Sequence, residues 1–125
     1  MMLAAMLLLQ GAQALDCDNA MTQADMNRCA GLEYREADAA LNAQWEETAA
    51  EMKLRDDSEH ASDGRLGYFP ALLAAQRAWL AYRDAHCISY GYFARGGSME
   101  PMLVAACKTD VTRERTQELR DLVTQ

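Results

Sequence analysis

The sequence predicts an all-α domain, a small antiparallel three-helix bundle stapled by two disulfides. Apolar residues recur at helical spacing along most of the chain, and no stretch of useful length alternates apolar and polar residues as a strand would. The chain also contains four cysteines, an even number that allows two disulfides. Its 125 residues are enough for one domain with a single core.

The beginning of the chain is interpreted as a signal peptide covering residues 1–14. Residues 1–9 are apolar and uncharged, and Ala12 and Ala14 form the small-x-small pattern of a signal peptidase site. The apolar run is too short for stable membrane insertion. We therefore expect cleavage near Ala14 and a helical domain, residues 15–125, in the periplasm or secreted. A retained anchor is the less favoured alternative.

The first helix is predicted to begin near Thr22, because Thr22 and Asp25 resemble a capping box. Apolar and small residues then recur at helical steps and form one long seam, which consists of Met26, Ala30, Tyr34, Ala37, Leu41, Trp45 or Gln44, Thr48 and Met52. Gly31 lies inside this helix, which predicts the close approach of another backbone near Cys29.

A polar stretch that contains glycine, residues 56–67, separates the first helical pattern from the second. Such a composition predicts a connection between helices. We expect it to be mobile, because the cysteines should lie at the other end of the bundle. His60 stands alone among acidic residues of this connection, and we expect it to lie in solvent rather than to act as a ligand or base.

The second helix should start at Tyr68 or Pro70, since proline suits the first turn, and it should continue to about Tyr90 or Phe93. The segment carries a strong helical pattern with several reactive side chains. Trp79 is expected to face the core from this helix. The second helix is therefore predicted to be the central strut of the bundle.

Residues 95–98, which contain the glycine pair Gly96 and Gly97, should end the second helix. A third helix should follow from about Met99 to Val123, with Pro101 in its first turn. Its predicted buried residues are Leu103 or Val104, Cys107, Val111, Leu119 and Leu122. Because its latter half is strongly charged, we expect this helix to cover the bundle rather than to form its centre.

The four cysteines, Cys17, Cys29, Cys87 and Cys107, indicate two disulfides in an exported chain. None of them has C-x-x-C spacing, and the two histidines lack paired-ligand spacing, so neither a metal nor a cofactor is predicted. Alternating helix directions bring all four cysteines towards one end of the bundle. The pairing stays open: one scheme joins Cys17 to Cys29 and Cys87 to Cys107, and the other joins Cys29 to Cys87 and Cys17 to Cys107.

The chain is acidic, with a formal net charge of -7 at pH 7. This charge argues against nucleic acid and anionic lipid surfaces as partners, because both require a basic surface. An acidic domain is drawn instead towards basic proteins. The alternative is that the acidic residues only keep a small exported protein in solution.

No pattern of catalytic residues is found, so the chain is not predicted to be an enzyme. Cys87 beside His86 is the one pair that resembles a nucleophile with its base. Neighbouring residues of a helix diverge, however, and a disulfide would remove the thiolate. Adjacent carboxylates such as Glu46 and Glu47 are explained as a solvated surface.

Several separated motifs occur in order along the chain, and they are Thr22–Ala30, Tyr34, Ala37-Asp38, Leu41-Asn42, Ala75–Trp79, Tyr82–Cys87, Gly96–Met102, Cys107 and Thr112–Thr116. With them, the chain resembles the lysozyme inhibitor LprI-like N-terminal domain family (DUF1311). The resemblance implies a helical, disulfide-stapled, exported bacterial domain and lysozyme inhibition as the activity. Asp16 stands before Cys17 where a lipobox requires a small residue, so a lipid anchor is not expected.

Six polar residues of the first two helices form a candidate cluster, and they are Asp38, Asn42, Gln76, Arg77, Arg83 and Asp84. The favoured interpretation is a structural hydrogen-bond and ion-pair network that fixes the register of the two helices. The alternative is a recognition cluster. Asp84 directly follows Arg83, so the two side chains are expected to diverge and to have different partners.

The connection between the second and third helices carries a candidate partner-binding patch, whose residues are Tyr90, Tyr92, Phe93, Arg95, Gly96, Gly97 and Ser98. The plainer interpretation, which we favour, is a tight turn. In the functional interpretation, the aromatic and arginine side chains form exposed anchors of the kind that protein interfaces use.

The sequence thus predicts an exported binding protein with a protein partner, a lysozyme-type muramidase that it inhibits by non-covalent occlusion. The alternative is an interaction or structural module of the cell envelope, which binds another protein or peptidoglycan and has no lysozyme target.

Overall fold

The computed structural model describes residues 14–125 and shows three α-helices with a short 3-10 helix, and no strand within that range. The elements are α1 (Gln23–Ser58), α2 (Tyr68–Gly91), a 3-10 turn (Tyr92–Ala94) and α3 (Glu100–Asp121). The all-α fold class is therefore confirmed. The predicted signal peptide lies outside the described residues except for Ala14. Within the described range, no helix combines the length and the apolar character needed to cross a bilayer.

α1 begins where its capping residues predict. The hydroxyl of Thr22 accepts a hydrogen bond from the backbone N–H of Asp25 at 3.1 Å. The predicted seam is confirmed, because the buried residues of α1 are Ala37, Leu41, Gln44, Thr48, Ala49 and Met52. The expected close approach of another backbone at Gly31 is wrong, because a Cβ atom placed there would meet no heavy atom within 4 Å.

The helices alternate in direction, so α1 and α3 run parallel to each other. Near the start of both helices, the side-chain amide of Asn27 donates to the carbonyl of Ser98 at 2.9 Å. Further along, the hydroxyl of Thr48 donates to the carbonyl of Leu119 at 2.9 Å. α2 runs in the opposite direction and packs against both of them, which gives the predicted antiparallel bundle.

The core lies between all three helices and is formed by Leu41, Met52, Leu72 and Leu119, with Trp45, Phe69, Trp79 and Val123 partly buried against it. α3 is the helix with the most extensive contacts to the other two. Its Leu119 and Thr112 are both fully buried. The expectation that α3 only covers the bundle, with α2 as the central strut, is therefore wrong.

Threonines explain why α3 looks too polar to be central. The hydroxyl of Thr116 donates to the carbonyl of Thr112, and that of Thr109 donates to the carbonyl of Ala105, each at 2.9 Å. A hydroxyl satisfied by its own helix can be buried at little cost. Leu122, which the sequence predicts to be buried, is instead 38% exposed.

The cysteines form two local disulfides, Cys17–Cys29 and Cys87–Cys107, with Cα–Cα distances of 5.6 Å and 5.4 Å. This settles the pairing that the sequence leaves open. Cys17 is exposed and joins the segment before α1 to that helix. Cys87 and Cys107 are buried and join α2 to α3.

The opposite end of the bundle is closed by a carboxylate clamp. Asp56, in the last turns of α1, accepts hydrogen bonds from the backbone N–H groups of Tyr68 at 2.6 Å and Phe69 at 2.9 Å. The Tyr68 hydroxyl in turn donates to Glu59 at 2.6 Å. A Cβ atom at Gly67 would lie 2.6 Å from Asp56 Oδ1, so glycine leaves room for the carboxylate. Asp56 thus caps the positive end of α2 from another helix.

Substituting this clamp residue, Asp56→Ala, is expected to lower the free energy of unfolding by about 1–2 kcal/mol, because two N–H groups at the start of α2 lose a charged acceptor. Thermal and urea unfolding measure the loss. Asp57→Ala is the matched control, since Asp57 is adjacent and exposed. Equal losses in the two variants would show that the clamp does not stabilise the fold.

Candidate functional site

The turn between α2 and α3 begins where the two helices lie close together. Gly91, the last residue of α2, is buried. A Cβ atom there would lie 2.5 Å from Val104 Cγ2, so a larger residue would push α3 away. The sequence pattern alone gives no sign of this role of Gly91. The 3-10 turn that follows leaves the bundle and carries its side chains outwards.

Hydrogen bonds from both backbone and side-chain groups hold the rest of this turn in place. The N–H of Gly97 donates to the carbonyl of Ala94, and the N–H of Gly96 donates to Glu100 Oε2, both at 2.8 Å. Gly96 has φ +79°, a left-handed conformation that favours glycine. Ser98 is attached to α1 through Asn27. The turn is therefore a pre-organised element.

Aromatic side chains project from this pre-organised turn into solvent. Tyr90, Tyr92 and Phe93 are 42%, 49% and 85% exposed. The rings of Tyr90 and Phe93 meet edge to face, with centroids 5.7 Å apart. The guanidinium of Arg95 lies 4.4 Å from the centre of the Tyr92 ring. We call residues 90–98 the turn surface.

The turn surface carries side chains of the kinds that protein interfaces use. Phenol, phenyl and guanidinium groups are the side chains that dominate binding energy at protein interfaces. The histidine next to Cys87 takes no part in a nucleophile pair: His86 stacks on Tyr82, with centroids 5.2 Å apart, and Cys87 is in a disulfide. Within residues 14–125, no cluster of three or more His, Cys, Asp or Glu side chains could hold a metal ion.

The predicted polar cluster is divided in the structure, with Arg83 at the centre of one part. Arg83 is buried, and its Nη1 lies 3.4 Å from Asp38 Oδ1. Its Nε donates to Asp84 Oδ1 at 3.0 Å. The expectation that Arg83 and Asp84 have different partners is therefore wrong, because the long arginine side chain reaches its neighbour. Lys108 of α3 also approaches Asp84, at 3.8 Å.

Two aromatic rings enclose the same guanidinium. It lies 5.5 Å from the ring centre of Tyr34 and 5.1 Å from that of Trp79. Burial raises the pKa of Tyr34, Arg83 opposes the shift, and the carboxylates Asp38 and Asp84 add to it. The phenol of Tyr34 therefore stays neutral beside the cation. Because Tyr34 belongs to α1 and Arg83 to α2, this part of the cluster joins the two helices.

The other polar residues of the cluster have different surroundings. Gln76 is buried and its Oε1 accepts from Arg115 Nε at 2.9 Å. Arg115 was not among the predicted polar residues, although it lies in one of the family motifs. Asn42 and Arg77 are exposed and have no hydrogen bond or ion pair to residues 14–125. These two residues line a groove between α1 and α2 together with Asp38 and Gln76.

Comparisons with known proteins identify the family. A sequence model of the family described as lysozyme inhibitor LprI matches residues 16–119. The chain is also 47% identical over 109 residues to an uncharacterised protein of Rhizobium meliloti (strain 1021), and the alignment covers 86% of this chain and 78% of that relative. No solved structure matches the chain. Because the family match includes both disulfides and the turn surface, the resemblance is confirmed and the chain belongs to the lysozyme inhibitor LprI family.

Proposed function

We propose that this protein is an exported inhibitor of lysozyme-type muramidases, which it blocks by non-covalent occlusion. The observation that carries the proposal is the turn surface, where exposed aromatic rings and Arg95 project from a hydrogen-bonded turn. Membership of an inhibitor family supports the choice of target. Inhibition by occlusion requires no catalytic group of the inhibitor.

Pre-organisation of the turn supports a role in tight binding. A loop that is already ordered loses little conformational entropy when it binds. Gly96 and Gly97 are each fixed by a hydrogen bond, and Ser98 is fixed through Asn27. Phe93, the most exposed ring, would lose the largest apolar area to a partner.

The charge of the chain supports a basic partner. A net charge of -7 attracts a basic muramidase and accelerates the encounter, while the local contacts of the turn surface determine how long the complex lasts. Arg95 adds a cation to an otherwise acidic molecule at the tip of the bundle. It would pair with a carboxylate of the partner, and glycosidase clefts contain such carboxylates.

Export is part of the proposal. Two disulfides suit an oxidising compartment such as the periplasm. The apolar segment before Ala14 would serve as the cleaved signal peptide.

Binding to c-type lysozyme tests the proposed surface. Isothermal titration of the oxidised domain, residues 15–125, is expected to show a complex that weakens as salt is added. Phe93→Ala and Arg95→Ala should each weaken it about tenfold or more, because such anchors contribute most of the binding energy. Leu66→Ala is the matched control, since Leu66 is 70% exposed in the connection at the other end of the bundle.

The possible results distinguish a wrong contact surface from a wrong target. If the enzyme binds equally well to all variants, the turn surface is not the contact. If no muramidase of several types binds, the inhibitor proposal fails. The protein would then be an envelope module that binds another protein or peptidoglycan.

A further inference from the structure

The turn surface by itself is small for a stable protein interface. It consists of the nine residues 90–98, whereas a stable interface takes about 20–30 residues from each partner. An inhibitor that holds its target must therefore use further surface next to the turn. The exposed sides of α2 and of the start of α1 both border it, and they differ in character.

The exposed side of α2 continues the aromatic character of the turn. Tyr82, His86 and Tyr90 follow one another at steps of four residues, so their side chains lie along one side of the helix over about 12 Å. Phe93 extends this row into the turn, with its ring centroid 5.7 Å from that of Tyr90. We call Tyr82, His86, Tyr90 and Phe93 the aromatic ridge.

The rings of the aromatic ridge lie outside the core and contact each other in pairs. Tyr82 and His86 stack, with centroids 5.2 Å apart and planes inclined by 8°. Tyr82 is 56% exposed, and His86 is exposed as well. Each stacked ring restricts the rotation of the other, so little side-chain entropy is left to be lost on binding. The ridge is therefore pre-organised, as the turn is.

The exposed residues of α2 around the ridge are almost free of charge. Among those in residues 78–93, Asp84 alone carries a full charge, and the Nε of Arg83 lies 3.0 Å from its Oδ1. The start of α1 instead carries the exposed ion pair of Asp25 and Arg28. The centre of a protein interface is poor in charged residues and rich in aromatic ones. The ridge has this composition, and the start of α1 does not.

We propose that the aromatic ridge and the turn surface form one continuous contact face for the muramidase, with the ridge as its centre. The net charge of -7 on the chain attracts a basic enzyme. The ridge then offers that enzyme aromatic surface that can be buried without removing a paired charge from water. This inference rests on the proposed function and adds residues of α2 to the contact.

Isothermal titration with c-type lysozyme tests the ridge by substitution. Tyr82→Ala and His86→Ala, each in the oxidised domain of residues 15–125, should weaken the complex about tenfold. Ile88→Ala is the matched control, because Ile88 is 49% exposed on the same helix. It lies two residues from His86 and from Tyr90, a spacing that points its side chain away from the ridge. Circular dichroism and a free-thiol assay establish that each variant is folded and oxidised.

The two histidines of the chain provide a second test that needs no substitution. In ¹H–¹³C spectra of the domain labelled at histidine, the ring signals of His86 should shift or broaden until added unlabelled lysozyme saturates the domain. His60 lies in the connection at the opposite end of the bundle, so its ring signals should stay unchanged.

The results distinguish a failure of the ridge from a failure of the proposed function. If Phe93→Ala weakens the complex but the Tyr82 and His86 variants bind as the control does, the ridge is not part of the contact face and the inhibitor proposal stands. Unchanged His86 signals in the saturated complex would also overturn the ridge. If no muramidase binds the natural sequence, both proposals fail.

Discussion

Replacing Leu119 with alanine is expected to lower the free energy of unfolding by about 3–5 kcal/mol, the range for a leucine removed from a closed core. Leu119 is fully buried, and it lies in the cluster with Leu41, Met52 and Leu72. Its carbonyl also accepts the hydroxyl of Thr48, so the backbone there is fixed and cannot readily move to fill the cavity. Urea unfolding followed by circular dichroism measures the change.

Leu122→Ala is the matched control for this substitution. Leu122 lies one turn further along the chain and is 38% exposed, so its removal leaves little cavity and should cost several-fold less. A loss for Leu122→Ala as large as that for Leu119→Ala would mean that α3 packs with a different face towards the bundle.

Removing the buried disulfide should have an effect of comparable size. The free energy of unfolding of the double variant Cys87→Ala/Cys107→Ala is expected to fall by about 3 kcal/mol. The disulfide joins two core helices at positions 20 residues apart in the sequence, so it restricts the unfolded chain. Alanine is the suitable replacement, since serine at Cys87 would bury a hydroxyl at a position that is 0% exposed. Thermal unfolding without reductant measures the loss.

The other disulfide provides the comparison. Cys17–Cys29 ties the segment before α1 to that helix, and this segment contributes no residue to the core. In the double variant Cys17→Ala/Cys29→Ala, the segment should detach locally while the bundle stays folded. The shift in the unfolding midpoint should therefore be several-fold smaller. Equal shifts would show that the segment before α1 is part of the cooperative unit.

The helices could be predicted because their signals are local. The Thr22 cap, the seam of α1, and the prolines near the starts of α2 and α3 agree with the observed bounds to within a few residues. The even number of cysteines in a chain expected to be exported also indicated two disulfides. It could not decide their pairing, because both schemes suit a bundle in which the cysteines collect at one end.

What the sequence could not show depends on contacts between helices. The central position of α3 was missed because its buried threonines count as polar in a sequence pattern, although the hydroxyls of Thr109 and Thr116 bond to the helix itself. The cap that Asp56 provides for α2 joins residues from two helices and has no motif of its own. The contact of Gly91 with Val104 likewise exists only in the folded bundle.

For the candidate site, too, the sequence indicated residues but not the contacts between them. Composition alone indicated the aromatic and arginine residues of the turn surface. The hydrogen bonds that order the turn, and the exposure of its rings, became visible only in the structure. The six polar residues were grouped by sequence, and the structure divides them between the surroundings of Arg83 and a groove that includes Arg77.

Lysis of a cell-wall suspension by c-type lysozyme, measured against increasing oxidised protein, tests the proposed inhibition most directly. We expect the rate of lysis to fall in a saturable way, with the protein alone causing no lysis. Phe93→Ala should require about tenfold more protein for half-inhibition, and Leu66→Ala should match the natural sequence. If folded protein with both disulfides formed leaves lysis by several muramidase types unchanged, the result contradicts the proposed function.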